Sequence, residues 1–277
     1  MAGTRIFIAV VSVAVLTLAA THATGALTQS TETVRIDGFP DRDTAKADCR
    51  RGQRIVSGGF STPVYGFLGQ PRISPAASQK SGRRAWSSFG YNGDPLITGS
   101  FTGYAYCGRD ADRLRERTAR VEVGGAMSTR VRAGCRAGER LVSGGFSVPA
   151  LGDSEAILVT ESRKAGQGWA AAARVTSGAD QELVAHAYCS DDAPKLKTRR
   201  KERNVGTGPP EKSARARCPK NRPVVSGGFM TPAQMATVGV HESRRKGKRA
   251  WLATSYTFAA APGVLLVVEA YCGPKRR

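Results

Sequence analysis

The sequence predicts an all-β protein made of three tandem, homologous antiparallel β-sheet modules, each closed by a disulfide bridge. Three observations carry this prediction. One motif recurs three times, short apolar segments alternate with a period of two, and the six cysteines fall two to a repeat. The predicted modules span residues 31–107, 118–189 and 202–272, and they follow an N-terminal segment of residues 1–26.

Each repeat begins at a cysteine that is soon followed by Ser-Gly-Gly-Phe. The segment CRRGQRIVSGGF, from Cys49 to Phe60, returns as CRAGERLVSGGF from Cys135 and as CPKNRPVVSGGF from Cys218. Each copy then contains one of the chain's three tryptophans and ends in Ala-Tyr-Cys. These landmarks are Trp86, Trp169 and Trp251, followed by Cys107, Cys189 and Cys272. Because every Trp and every Cys has an equivalent place, the three segments are expected to share one fold.

Within a repeat the apolar pattern is that of short strands. Ala185, Ala187 and Cys189, for example, fall on one face of an extended segment. Such alternation, cut by Gly, Pro and Asn, predicts five or six strands per module. The Gly-Gly pair is expected to mark a bulge or a close backbone crossing, since glycine has no side chain. A hairpin is predicted before each tryptophan, with turns near Gly82, Gly166 and Gly247.

Two disulfide patterns treat the three copies alike. The favoured pattern closes each module on itself: Cys49–Cys107, Cys135–Cys189 and Cys218–Cys272. It suits two small-residue strands lying side by side, and a bridge would support the thin core of so short a module. The alternative joins neighbouring modules in a ring: Cys107–Cys135, Cys189–Cys218 and Cys49–Cys272. A metal site is not expected, because no Cys-x-x-Cys pair is present.

The N-terminal segment has the order of a secretory signal. A basic Arg5 precedes the apolar run from Ile6 to Ala20, and small residues follow up to Ala26. The run is short for a membrane span, and no second apolar stretch approaches membrane length. The mature chain is therefore expected to be exported, either secreted or associated with the cell envelope, and an uncleaved N-terminal anchor is the alternative.

The charge balance points to anionic partners. The chain has 42 Lys and Arg residues against 22 Asp and Glu residues, a formal net charge of +20. A surface this basic attracts polyanions such as cell-wall polymers, acidic glycans or nucleic acid. Cations gather in the hairpin ahead of each tryptophan, so one loop repeated three times could present three cationic tips; the alternative is that these cations only solvate the loop tips. These cations are Lys80, Arg83 and Arg84; Arg163 and Lys164; and Arg244, Arg245, Lys246, Lys248 and Arg249.

Candidates for catalysis are few, so the chain is expected to be a non-catalytic binding or structural protein without cofactor or metal. Beyond the N-terminal segment the histidines are His186 and His241, and neither recurs in the other repeats. Ser143 or Ser226 would need a positioned base to act as a nucleophile. The polar connectors, residues 108–117 and 190–201, are expected to be solvated. The alternative function is a secreted hydrolase with its site in one module or at a module interface.

The repeat resembles one found in secreted proteins of high-GC actinobacteria, with its small-x-small-x-Cys segment, Gly-Gly, Trp and Ala-Tyr-Cys. That resemblance covers nearly all of the mature chain and implies export and a β fold. A more distant resemblance is to the vitelline-membrane outer-layer family, on the strength of three internal repeats with Gly-rich, Cys-ended strands. It implies an alternative architecture, a single β-prism with pseudo-threefold symmetry.

Overall fold

The structure is a computed structural model, and the part of the chain it describes consists entirely of strands, turns and irregular segments. The structure describes residues 27–37, 41–63, 73–92, 98–109, 113–125, 127–149, 156–177, 179–205, 211–231, 238–257 and 263–275. The predicted signal, residues 1–26, lies outside them. Within these ranges the all-β class is confirmed, and no helix there could cross a membrane.

Each repeat contributes six strands. The first repeat forms β1 (Thr28–Ile36), β2 (Arg42–Asp48), β3 (Arg54–Ser61), β4 (Ile73–Ser81), β5 (Ala85–Asn92) and β6 (Gly99–Gly108). The second forms β7 (Arg115–Val123), β8 (Thr129–Gly134), β9 (Arg140–Ser147), β10 (Ala156–Ala165), β11 (Gly168–Ser177) and β12 (Gln181–Ser190). The third forms β13 (Lys197–Asn204), β14 (Glu211–Arg217), β15 (Val224–Met230), β16 (Val238–Lys246), β17 (Ala250–Thr257) and β18 (Leu265–Cys272).

The strands assemble into three six-stranded antiparallel sheets, and each sheet is shared by two repeats. Sheet 1 has the order β1-β6-β3-β16-β17-β14, sheet 2 has β2-β5-β4-β9-β12-β7, and sheet 3 has β13-β18-β15-β10-β11-β8. Every repeat therefore gives three strands to one sheet and three to another. The two halves of a sheet meet over a pairing of only two residues, as at β3 and β16. Three homologous, disulfide-closed repeats are present, and the sharing of their sheets is compatible with the β-prism alternative.

The connectors expected to be solvated are partly strand. Strand β7 begins at Arg115 and strand β13 at Lys197, each pairing along its length with the last strand of its own repeat. These charged segments become strands because β12 and β18 each offer a free row of backbone groups. Solvation holds for β13, every residue of which is exposed, but the expectation was wrong for Ala193 and Leu196, which are 1% and 7% exposed.

The Ser-Gly-Gly-Phe motifs on β3, β9 and β15 meet where the three sheets come together. In each motif the serine hydroxyl donates a hydrogen bond to a backbone carbonyl of another repeat. The three pairs, each 2.6 Å long, are Ser57 to Val225, Ser143 to Val56 and Ser226 to Val142. Each repeat donates to one neighbour and accepts from the other, so the bonds close a ring.

Beside this ring the motif phenylalanines form a buried triangle. Phe60, Phe146 and Phe229 are each 1% exposed. Their ring centroids lie 6.0, 6.2 and 6.5 Å apart, and all three pairs meet edge to face. This geometry places the positive ring edge on the negative face, and each pair adds about 1 kcal/mol to the burial of apolar surface.

Neither glycine of the Ser-Gly-Gly-Phe motif could carry a side chain, because the neighbouring atoms lie too close. A Cβ at the first glycine would lie 2.2 Å from the tryptophan ring of the same repeat; the pairs are Gly58–Trp86, Gly144–Trp169 and Gly227–Trp251. A Cβ at the second glycine would lie 2.1 to 2.4 Å from a backbone carbonyl oxygen of the adjoining repeat; the pairs are Gly59–Ser243, Gly145–Ser78 and Gly228–Ser162. The predicted close crossing is confirmed, and the predicted bulge is present as a register shift between Ile55 and Ser57.

The three disulfides close each repeat on itself, as the favoured pattern predicted. Cys49–Cys107, Cys135–Cys189 and Cys218–Cys272 have Cα–Cα distances of 5.7, 5.8 and 5.6 Å. The expectation that each bridge joins two strands lying side by side was wrong. Cys49 follows β2 of sheet 2, whereas Cys107 lies in β6 of sheet 1. Each bridge therefore ties two different sheets together.

Gly144→Ala should lower the free energy of unfolding by about 3 kcal/mol, because the new methyl group overlaps the Trp169 ring and the His186 carbonyl. Urea unfolding with the disulfides intact measures the loss. Gly134→Ala is the matched control, since nothing lies within 4 Å of a Cβ built there. Similar losses in the two variants would contradict the steric role of the motif glycine.

Candidate functional site

The predicted cationic hairpins and the disulfides lie together at one end of the molecule. In each repeat the amide of the first cysteine donates a hydrogen bond to a carbonyl in the hairpin tip. These bonds are Cys49 to Arg84 (2.7 Å), Cys135 to Gln167 (3.0 Å) and Cys218 to Arg249 (2.8 Å). We call this region the disulfide end; it comprises the turns at residues 49–54, 135–140 and 218–223 and the hairpins at residues 80–84, 164–167 and 245–249.

A tyrosine from another repeat holds each hairpin in place. The tyrosine hydroxyls of the Ala-Tyr-Cys segments accept hydrogen bonds of 2.7 to 2.8 Å from hairpin amides; the pairs are Tyr106 with Arg245, Tyr188 with Lys80 and Tyr271 with Lys164. The same tyrosine rings pack edge-on against Trp251, Trp86 and Trp169. Burial raises the pKa of all three tyrosines above the ordinary range, so the hydroxyls stay protonated. The hairpins are thus rigidly mounted.

Five of the ten predicted cations are exposed on the hairpin tips. They are Arg83, Arg84, Lys246, Lys248 and Arg249. All five belong to the first and third repeats. The second tip, Ala165-Gly166-Gln167, has no charged residue. The disulfide end therefore presents two cationic hairpin tips.

Two of the predicted cations are paired with carboxylates. Arg163 lies 2.9 Å from Glu161 and 3.5 Å from Glu269, and both carboxylates are largely buried. Arg244 forms an ion pair with Glu242. These two arginines neutralise acids inside the fold, so they are less available to an external ligand.

The remaining three predicted cations lie partly or fully within the structure. Arg245 is 8% exposed, and its Nη1 donates a hydrogen bond of 3.0 Å to the carbonyl of Leu27. Lys80 and Lys164 are half-buried, and the ammonium of Lys80 sits 6.0 Å from the ring centroid of Tyr188. Burial lowers the pKa of Lys164 from its ordinary value. Arg245 in particular is a structural residue.

Sequence reasoning missed a second set of cations at the same end. Arg50, Arg51, Arg136 and Lys220 are exposed in the turns that follow the first cysteine of each repeat. A signal was available, since a basic residue stands one or two positions after that cysteine in all three copies. These turns supply the second repeat with the cation that its hairpin lacks.

A basic cleft of about 290 Å³ opens between the first hairpin and the segment leading into β7. Its lining combines four cations with two apolar side chains: Arg54, Lys80, Arg83 and Arg113, with Ile55 and Leu114. A second cleft of about 460 Å³ shares part of this wall and continues past Arg115 to Asp191 and Asp192. Arg115 pairs with Asp191 at 2.8 Å, so the positive charge is concentrated on the first cleft.

Glu139 organises the turn of the second repeat from beneath. Its carboxylate accepts hydrogen bonds from the guanidinium of Arg117 and, at 2.9 Å, from the amide of Arg136. The bond from Arg117, followed by that from Arg136, lowers the pKa of Glu139 to about 2. Glu139 also lies near the sulfurs of Cys135 and Cys189. Both sulfurs are in a disulfide, so they offer no thiolate to a metal.

The serines considered as nucleophiles have structural roles. Ser143 and Ser226 donate their hydroxyl hydrogens to the backbone carbonyls of the central ring. His241 is buried, and its Nδ1 lies 3.0 Å from the carbonyl oxygen of Thr62. Burial lowers the pKa of His241, which favours the neutral ring.

His186 belongs to a polar triplet that the sequence did not reveal. Its Nε2 lies 2.9 Å from Oγ of Ser147, and its Nδ1 lies 2.7 Å from Oε1 of Glu116. The three residues come from adjacent strands of sheet 2. In sheet 1 the equivalent pair is Ser61 with Tyr104, whose oxygens lie 2.9 Å apart. A polar bridge between these two strands therefore occurs in two repeats with different residues.

Comparison with known proteins gives no function for this chain, so a function can be argued only from its residues. No family model matches the chain, and no curated protein sequence matches it.

Glu139→Gln should remove part of the acid sensitivity of the fold. The pKa of Glu139 is about 2 in the folded protein, below its ordinary value of 4.5, so its stabilisation is complete above the ordinary value and disappears as the pH falls through the folded value. Between about pH 5 and about pH 2, the unfolding free energy of the variant should therefore fall less than that of the wild type. Urea unfolding at several pH values measures this, with Glu122→Gln, at an exposed position of β7, as control. Parallel pH profiles for wild type and Glu139→Gln would count against the interaction.

Proposed function

We propose that the protein is an exported, non-catalytic binding protein that recognises polyanions through its disulfide end. The observation that carries the proposal is the gathering of exposed cations from hairpin tips and cysteine turns on one rigid end. Hairpin cations such as Arg84 and Arg249 stand beside turn cations such as Arg50 and Lys220, joined by the backbone bonds of the cysteines. Glu139 is the only acidic residue in the ranges that define the disulfide end, and it forms ion pairs with Arg117 and Arg115.

Rigidity supports binding by this end. Disulfides, buried tyrosines and the central serine ring fix the backbones that carry the cations, so a ligand pays little to order them. Several contacts of modest strength on one body act together on a repetitive ligand through their high effective concentration. The chemical class is one with closely spaced negative groups, because guanidinium groups pair well with phosphate, sulfate and carboxylate.

The compartment fits this proposal. All six cysteines are in disulfides, which indicates an oxidising environment. Export through the predicted signal of residues 1–26 would place the basic end among the anionic polymers of the cell surface or its surroundings.

Neutralising the third hairpin tip should weaken retention on a heparin column. Lys248→Gln/Arg249→Gln removes two exposed tip cations, and the salt needed for elution should fall clearly below that of the wild type. Lys46→Gln/Arg120→Gln is the control, because it removes the same charge from exposed positions in strands β2 and β7. An equal fall in both variants would show that net charge alone governs retention, and the proposed site would be rejected.

A secreted hydrolase is the second candidate function, and the triplet Ser147–His186–Glu116 is the observation that favours it. The order hydroxyl, Nε2, Nδ1, carboxylate is that of a nucleophile, its base and the group that orients the base. Two features oppose it. Ser147 is only 6% exposed, and the following amide, of Val148, already donates to the carbonyl of Ala76 at 2.9 Å. That amide is therefore not free to stabilise an oxyanion.

A fluorophosphonate probe separates the two functions. Under the binding proposal Ser147 stays unlabelled, because its hydroxyl is buried in a cross-strand bridge. Mass spectrometry of the probe-treated protein measures this directly. Labelling of Ser147 that disappears in His186→Gln would establish an activated serine and favour the hydrolase.

A further inference from the structure

Strand β13 carries a row of cations on one face. Lys197, Arg199, Lys201 and Arg203 occupy alternate positions, so their side chains leave the same side of the strand. All four are exposed at the edge of sheet 3. Neighbouring members are separated by two residues of extended chain, about 6.7 Å, and the whole row spans about 20 Å. We call these four residues the cation ladder.

Internal ion pairs do not account for the ladder. Among the described residues no carboxylate lies within ion-pair distance of Lys197, Arg199 or Lys201. The only ion pair on the strand is that of Arg200 with Glu202, at 2.7 Å, on its other face. Arg203 Nη1 donates to the carbonyl of Ser213 on β14. The ladder therefore borders the seam between sheets 3 and 1.

The fold does not need cations at these positions. Strands β1 and β7 pair with the last strand of their repeats in the same register as β13 does. The corresponding residues are Thr28, Ser30, Glu32 and Val34 in β1, and Arg115, Arg117, Ala119 and Val121 in β7. The two arginines of β7 are bound to Glu139. A continuous row of four cations is thus specific to the third repeat.

The interval of the ladder matches that of a simple phosphodiester polymer. Two residues of a β-strand contain six backbone bonds and advance about 6.7 Å. Successive phosphates joined through a three-carbon unit are also separated by six bonds: P–O, O–C, C–C, C–C, C–O and O–P. An extended chain of this kind has a similar reach, so consecutive phosphates can face consecutive ladder cations without a growing mismatch.

We propose that the cation ladder binds a linear polyol phosphate, such as a 1,3-linked glycerol phosphate chain, with four consecutive phosphates along β13. This rests on the proposed polyanion-binding function and adds a second site, with a named ligand, to the disulfide end. Single-stranded nucleic acid has the same bond count between phosphates but binds most proteins with its bases stacked on aromatic rings. Met127 is the only large hydrophobic side chain exposed in the described part of the protein, so no exposed aromatic ring is present there for stacking.

The test is titration of the full chain with a synthetic 1,3-linked glycerol phosphate decamer at several salt concentrations. Arg199→Gln/Lys201→Gln should weaken binding about tenfold and reduce the magnitude of the slope of log affinity against log salt by roughly 1.4, since each neutralised single-strand charge contributes about 0.7. The charge-matched Lys46→Gln/Arg120→Gln should bind within about twofold of wild type. Thermal unfolding of each variant verifies that the fold is retained. Equal weakening in both variants would overturn the ladder.

Two further probes test the register and the ligand class. A decamer with a five-carbon linker, eight bonds between phosphates, should bind at least fivefold more weakly; equal binding would overturn the match of intervals. Oligo(dT) of the same phosphate number should bind no more tightly than glycerol phosphate, and tighter binding would assign nucleic acid instead. Hairpin variants that leave heparin retention unchanged would reject the proposed disulfide-end site, whereas intact glycerol phosphate binding by the Arg199→Gln/Lys201→Gln variant rejects the ladder alone.

Discussion

The structure depends on the close meeting of three backbones at its centre. Each Ser-Gly-Gly-Phe segment approaches the next repeat so closely that a single methyl group at Gly145 would overlap a carbonyl of that repeat. This approach lets the serine hydroxyls reach across and lets Phe60, Phe146 and Phe229 pack against one another. The sheets, the bridges and the basic end all take their positions from this contact.

Much of this architecture could be predicted because the same landmark residues occur at equivalent positions in all three repeats. The equivalent placement of every Cys reduced the bridge patterns to two, of which the favoured one is confirmed, and the Gly-Gly pair predicted the close crossing. The sharing of sheets could not be predicted, since a period of two defines the faces of a strand but not its neighbour. The favoured disulfides are confirmed, yet Cys107 lies in sheet 1 and Cys49 follows a strand of sheet 2, a fact that only the pairing of strands reveals.

The candidate site was less accessible to sequence reasoning, for two physical reasons. A count of cations does not tell which ones the fold uses: Arg163 neutralises buried acids and Arg245 lies inside, although both stand in a basic hairpin. Cations in a connector also look like solvated linker. In the structure the run from Lys197 to Arg203 pairs with β18 as an edge strand, and this pairing gives its cations a regular spacing.

The sharing of sheets has a consequence for how the protein is made. Sheet 1 joins β1 to β14, β16 and β17 near the carboxyl end, so it is complete only after the last repeat has been synthesised, whereas sheet 2 needs only the first two repeats. Pairings so distant along the chain form slowly. A polypeptide emerging from the ribosome can therefore complete sheet 2 first, while sheets 1 and 3 wait for the strands of the last repeat.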